Sequence, residues 1–245
     1  MISNISSSVL PSLKSPVPVA SNWLDRICKA IYNFAMHIFK AIRNCFGGTE
    51  PSTSVSVTTT IDNSQRMTGS NTSLNLIAFY RGTEGNNNGV TFDQILGWDD
   101  TRLEAVHNYI QWLFPLRTVS GPNPTAPILD NQTIQTFQND PALKNQVLRS
   151  FHRMLTFYGL QIDERTQVVS RAPNFNFRAS VWLLNPSGHH NFLRITRILD
   201  SMRLLGLSNY CNPFFNVLQD IARHEGQGNI GDRTLGYWKA AGQGR

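Results

Sequence analysis

Three kinds of pattern are scarce or missing in this sequence, and each absence closes off a class of explanation. Cysteine is rare, at three in 245 residues, and an odd count builds no disulfide framework. Cys28 and Cys45 lie in one helix-like run that would hold them roughly 25 Å apart, beyond the reach of a bridge. Reduced thiols and a cytosolic setting are therefore the default expectation. Long apolar runs are also missing. Between residues 22 and 46 only Ala30 to Phe39 is free of charge, whereas a membrane span needs about 20 mostly apolar residues. Catalytic signatures are absent as well. No Ser sits in a Gly-x-Ser-x-Gly elbow, no His-Glu-x-x-His occurs, and no glycine-rich phosphate loop follows a strand. The six histidines have no metal-ligand spacing with cysteine, so no catalytic residue, metal or cofactor is expected.

Charge is unevenly spread. The net charge is +6, yet residues 74–225 hold thirteen Arg or Lys against twelve Asp or Glu. Residues 1–46 hold five basic residues against Asp25 alone. A nearly neutral middle is not built to bind a phosphate backbone, so no nucleic-acid partner is expected.

The chain divides by composition. Residues 1–21 are rich in Ser, Pro and Val, a poor secretory signal that reads as a disordered leader. Ser-rich starts of this kind also occur on bacterial proteins delivered by needle-type secretion. Residues 22–46 form a basic amphipathic helix. Trp23, Ile27, Ile31, Phe34 and Ile38 lie on its apolar side, with Arg26, Lys29, Asn33, His37, Lys40 and Asn44 on the opposite stripe and Arg43 as a further cation near its end. Such a helix either lies on an anionic membrane surface, with Trp23 and Phe34 inserted and the four cations at the headgroups, or docks its apolar side on the core or on a second copy. Residues 47–73 are a Ser/Thr-rich linker, residues 74–225 the core, and residues 226–245 a Gly-rich tail expected to be flexible apart from a local contact at Tyr237-Trp238.

Within the core, the stretch from Trp98 to Leu116 reads as one central helix. Thr101 and Glu104 have the spacing of a capping box, and Pro115 supplies the stop. Leu103, Val106, Ile110 and Leu113 recur at helical spacing, and Tyr109, Trp112 and Phe114 widen the apolar face. Only Glu104, His107, Asn108 and Gln111 remain as a polar stripe, so the helix is expected to be a buried rod with others around it. Asp130 or Asn131 caps a short helix to about Gln138. Asp140-Pro141 opens a long helix ended by Gly159. Residues 160–172 suit a small hairpin, and Asn174 to Asn185 one short helix. Ser187 or Gly188 starts a helix running to Gly206, and Asn212-Pro213 starts a last one stopped at Gly226. The fold class is all-α, with about five packed core helices, irregular loops and a separate N-terminal amphipathic helix.

Two constellations stand out. His107, Asn108 and Gln111 beside Tyr109 and Trp112 suit a recognition groove for a short aromatic peptide; the alternative is buried polar groups satisfied by neighbouring backbone, which the general behaviour of buried polar groups favours. His190, Arg194 and Arg197 share a helix face at i, i+4 and i+7 and, with His189, suit an anion site. The alternative there is a structural tie, with Asp99 and Asp100 as the natural partners of the arginines.

Four segments also carry a resemblance. Asn75–Gly82 (NLIAFYRG), His107–Leu116 (HNYIQWLFPL), Arg149–Gly159 (RSFHRMLTFYG) and His189–Leu207 (HHNFLRITRILDSMRLLGL) occur in the order found in the opioid growth factor receptor conserved domain, also called the zeta-type opioid receptor domain, which the chain resembles over about residues 74–225. The resemblance implies a non-enzymatic receptor domain for an enkephalin-like peptide or a protein partner, associated with membranes, including those of the nucleus. It implies no catalytic or ligand-contact residue. The long repeat-bearing tail of the vertebrate pattern does not follow the domain, a form expected of a bacterial or parasite-like member. The expected setting is cytoplasmic or peripherally membrane-associated. Two alternatives come from other classes: a membrane-surface secreted effector acting through residues 22–46, and an enzyme assembled from Asp99, His107, His190 and Arg194. Composition leaves the oligomeric state open.

Overall fold

The computed structural model describes residues 75–226 and 228–244. The expected leader 1–21, amphipathic helix 22–46 with its membrane-surface candidates, and linker 47–73 lie outside them. The described residues form an all-α domain with one two-stranded hairpin. In order, they are α1 (75–80), α2 (Phe92–Leu96), α3 (Asp100–Ala105), α4 (Ile110–Leu113), α5 (Asn131–Asn139), α6 (Pro141–Tyr158), β1 (Leu160–Asp163), β2 (Val168–Arg171), α7 (Phe175–Trp182), α8 (His190–Leu204), α9 (Cys211–His224) and α10 (Asp232–Gln243).

Local chemistry sets α6. The Asp140 carboxylate accepts from the Ala142 and Leu143 amides, Pro141 occupies the first turn, and Gly159 closes the helix at φ 73°. Glycine is required at that stop. A Cβ there would stand 2.8 Å from Phe175 Cα and 2.9 Å from Arg178 Cβ. The hairpin follows at once, with Leu160 opposite Arg171 and Asp163 opposite Val168.

This 18-residue helix is the element the others surround. Gln146 donates to Tyr80 O on α1 at 3.0 Å, and Arg149 reaches Asp93 of α2 at 2.8 Å. Arg153 pairs with Asp100 of α3 at 2.8 Å, His152 with Glu164 beyond β1 at 2.6 Å, and Phe151 meets Phe214 of α9 edge-on. The central rod expected over Trp98–Leu116 is not continuous. Its apolar residues Leu103, Tyr109, Ile110, Trp112, Leu113 and Phe114 are buried as expected, but the backbone breaks between α3 and α4, with Val106 extended at φ −90°, ψ 133°. The start differs too. Asp99, not Thr101, caps α3 by accepting from the Arg102 amide at 2.7 Å. A capping box occurs one helix earlier, between Thr91 and Gln94. Phe114, at φ −141° and ψ 74°, leaves helical geometry before Pro115 as expected.

Two further expectations need correcting. The last predicted helix begins at Cys211 after a short 3₁₀ turn, Ser208–Tyr210, so Asn212 lies within the first turn and is not its cap. The tail is not a flexible run. Residues Asp232–Gln243 form α10, which packs on α8. Trp238 is fully buried and its indole N–H donates to Phe192 O at 3.0 Å. Leu235, Trp238 and Ala241, three apart, supply the contact face. Burying one large side chain in this way contributes about 2–3 kcal/mol, which offsets the cost of two glycines, Gly236 and Gly242, inside the helix.

Candidate functional site at the break between α3 and α4

The break has a cause on α8. Arg194, 4% exposed, sends one guanidinium nitrogen to Val106 O at 2.9 Å and to Glu104 O at 3.3 Å. Those two carbonyls therefore have a cationic partner in place of the next helical turn. The other terminal nitrogen donates to Asn191 Oδ1 at 3.1 Å and lies 3.9 Å from the Glu104 carboxylate. Asn191, fully buried, donates to both Glu104 oxygens at 3.3 and 3.1 Å. The Arg194 guanidinium also stands over the Tyr109 ring at 5.4 Å. Burial pushes the Tyr109 phenol up to about 12, partly offset by Arg194 and Arg153, so it remains a donor and reaches Met154 Sδ at 3.8 Å.

Above this floor lies an accessible rim. The His107 and His190 rings sit 4.8 Å apart, and His190 Nε2 is 3.3 Å from Glu104 Oε1. His107 is exposed. Arg197, one turn past Arg194, donates to Phe114 O at 3.1 Å, and burial pushes its guanidinium down to about 10, still cationic at neutral pH. Leu193, on the same outer edge of α8, is 56% exposed.

The sequence-predicted residues thus separate into two groups. His107, His190, Arg194 and Arg197 come together, with Tyr109 beneath them. Gln111 and Trp112 belong to the core, as the favoured buried-polar alternative has it: Trp112 packs on Phe79 at 5.0 Å and both side chains are buried. Gln111 is 5% exposed, and its amide lies between the Ser120 hydroxyl and the carbonyls of His107 and Asn108. With the nitrogen turned toward those two carbonyls, at 3.2 Å each, both ends are satisfied. Asn108 contributes its own carbonyl, which accepts from Asn123 at 3.1 Å.

Asp99 and Asp100 are not the partners of the α8 arginines. Glu104 takes that place, because Asp100 turns to Arg153 of α6 and to Arg178 of α7, 3.5 Å away. Arg178, 5% exposed, also donates to Phe157 O at 2.6 Å. Asp100 and Glu104, one turn apart on α3, thereby tie it to α6, α7 and α8. Asp99 caps the opposite end of α3 from Glu104, so the four-residue enzyme constellation is split. Arg153, Arg178 and Asn191 escaped sequence reasoning, and Glu104 entered it only as a cap and stripe residue. The i, i+4 spacing of Asp100 and Glu104 was the available signal. Among the described residues no group of His, Cys, Asp or Glu is arranged to hold a metal ion, and no helix is long and apolar enough to cross a membrane. Cys211 is buried, and burial pushes its thiol up to about 12.

The fold and this site define an all-α domain in which buried ion pairs fix a short broken segment against a long helix. The chain belongs to the family defined by the opioid growth factor receptor (OGFr) conserved region, whose model matches residues 68–243. It is 39% identical to the mouse opioid growth factor receptor over 145 residues, 56% of this chain and 22% of that protein. With the human opioid growth factor receptor it shares 38% over 160 residues, 63% of this chain and 23% of that protein. Opioid growth factor receptor-like protein 1 of Xenopus tropicalis is 39% identical over 132 residues, 53% of this chain and 25% of that protein. The chain thus spans about a quarter of the length of these relatives. No solved structure matches it.

Proposed function

We propose that the domain is a non-enzymatic binding module for a peptide or protein partner, with the contact made at the rim formed by His107, His190 and Arg197. The observation that carries the reading is the pair of imidazoles 4.8 Å apart, set at the surface on a floor that Arg194 and Glu104 hold rigid. Preorganised polar groups beside an exposed apolar side chain are what a recognition surface requires. The names of the relatives supply the ligand class to try first, an opioid-type growth-factor peptide. Calorimetry of the full chain with an enkephalin-type peptide is expected to show heat that falls in the double variant His107→Ala, His190→Ala. No heat at near-millimolar peptide overturns the opioid-type ligand.

The same proposal places the chain peripherally on membranes through residues 22–46, whose alternation of aromatic and basic side chains supports it. Anionic liposomes are expected to sediment the full chain and to leave behind a truncation beginning at Leu74. Equal recovery of both in the supernatant overturns the membrane role.

A further inference from the structure

The two longest stretches without an acidic residue are 105–129 and 165–199. The fold lays them side by side, through the His107–His190 ring contact and the hydrogen bond from Arg197 to Phe114 O. All five large apolar side chains that are exposed among the described residues, Val119, Val168, Phe177, Leu184 and Leu193, fall within these two stretches. Charge on this side is unbalanced in one direction. Arg171, Arg178 and Arg194 are matched by carboxylates from other elements, but Arg117, Arg165 and, on α8, Arg197 make no ion pair among the described residues. Asp200, one turn further on, is held by Arg203, and Glu104, the one carboxylate at the border, is engaged by Asn191, Arg194 and His190, the last at 3.3 Å. Positions 190, 193 and 197 align along one edge of α8, so an imidazole, an exposed leucine and an unmatched guanidinium stand in a row with His107 beside the first.

We infer that this edge is the docking surface for an acidic amphipathic peptide segment of a partner protein, its apolar side chain covering Leu193 and its carboxylate pairing with Arg197. The inference rests on the reading of the rim as a peptide- or protein-binding site and adds the chemistry of the occupant. A carboxylate matches Arg197 in charge and fork geometry. A second copy does not: a twofold contact would set the same acid-free edge against itself, cation to cation. A lipid surface is a weaker match, since each cation contributes only about 1 kcal/mol and Arg197 is the one arginine without an ion pair along the row 190, 193, 197.

Panning short random peptides displayed on yeast against the labelled full chain tests this. Recovered peptides are expected to combine Asp or Glu with Leu or Phe, and to lose about tenfold or more in affinity, the scale of one charge-assisted contact, against Arg197→Gln and against Leu193→Asp. Leu193 is exposed, so Leu193→Asp keeps the test valid if Arg197→Gln unfolds. Neutral or basic peptides that still require Leu193 overturn the acidic partner and leave the binding reading standing. Recovery of no peptide overturns both. Anionic vesicles that retain the chain in a Leu193-dependent way, without peptide capture, assign the edge to lipid and overturn the proposal; a self-association abolished by Leu193→Asp overturns it in favour of a second copy.

Discussion

On the inner side of α8, Arg194 and Asn191 are buried and engaged by Glu104 and by backbone carbonyls of the broken segment. On its outer side, Leu193 is exposed and Arg197 has a single backbone acceptor and no carboxylate. Each side carries one arginine, three positions apart on the same helix. A buried charge tolerates no unmatched partner, so the inner side is fixed in geometry and unavailable to ligands. The Arg197 guanidinium is partly buried, cationic and without an ion pair, which leaves it open to a partner's carboxylate from the rim. The buried tie and the proposed recognition edge are therefore separated by less than half a turn of one helix.

The strongest way to break this contrast is Arg194→Met. It strands Glu104 beside Asn191 and leaves two carbonyls without their donor, and it is expected to lower unfolding free energy by about 3–5 kcal/mol in a denaturant titration. A loss no greater than that of an ordinary surface substitution would show that the inner cluster does not fix the fold. Next in size is Gly159→Ala, where φ 73° and the close approach of Phe175 and Arg178 predict a loss of about 1–3 kcal/mol. The same variant disturbs the α6–α7 corner that holds Arg178, so it tests whether the inner cluster depends on that corner.

Acid sharpens the comparison from another direction. Three carboxyls lie below the usual range: Asp140 through the Leu143 and Ala142 amides and Arg81, Asp163 through Thr166 and the Arg165 amide, and Asp220 through Arg171. In each, the unfolded state takes up the proton first as pH falls. Their stabilisation is complete above the ordinary carboxylate value near 4 and is lost as pH drops through the lower folded values. The urea midpoint is expected to fall below about pH 4, and a midpoint unchanged down to about pH 2 would contradict it. The smallest effect belongs to the outer edge. Leu193→Asp is expected to change stability by no more than about 0.5 kcal/mol while removing peptide capture. A large loss of stability there would place Leu193 with the inner side.

Much of the helical architecture was legible in the residues. Asp140-Pro141 and Gly159 bound α6 because a cap, a first-turn proline and a left-handed glycine act locally. The hairpin and the short helix before α6 were legible for the same reason. The candidate site was legible in part. Periodicity brought His190, Arg194 and Arg197 to one helix, but Arg194 faces inward and Arg197 outward, a distinction that depends on where neighbouring helices sit. The break after Ala105 was hidden, because its cause is an arginine some ninety positions away in sequence. Helix α10 was hidden because a glycine-rich composition obscured the three-residue spacing of Leu235, Trp238 and Ala241, which has meaning only once α8 is there to receive it.

Composition and local spacing by themselves determined that the chain folds as helices, where the longest of them starts and stops, and that its middle is close to neutral, since caps, prolines, glycines and apolar periodicity act within a few residues. Only the tertiary structure decided which helix lies at the centre, which carboxylate answers each arginine and which imidazoles reach the surface together. Those choices depend on contacts between residues far apart in the chain, where burial makes an unmatched charge too costly to leave in place.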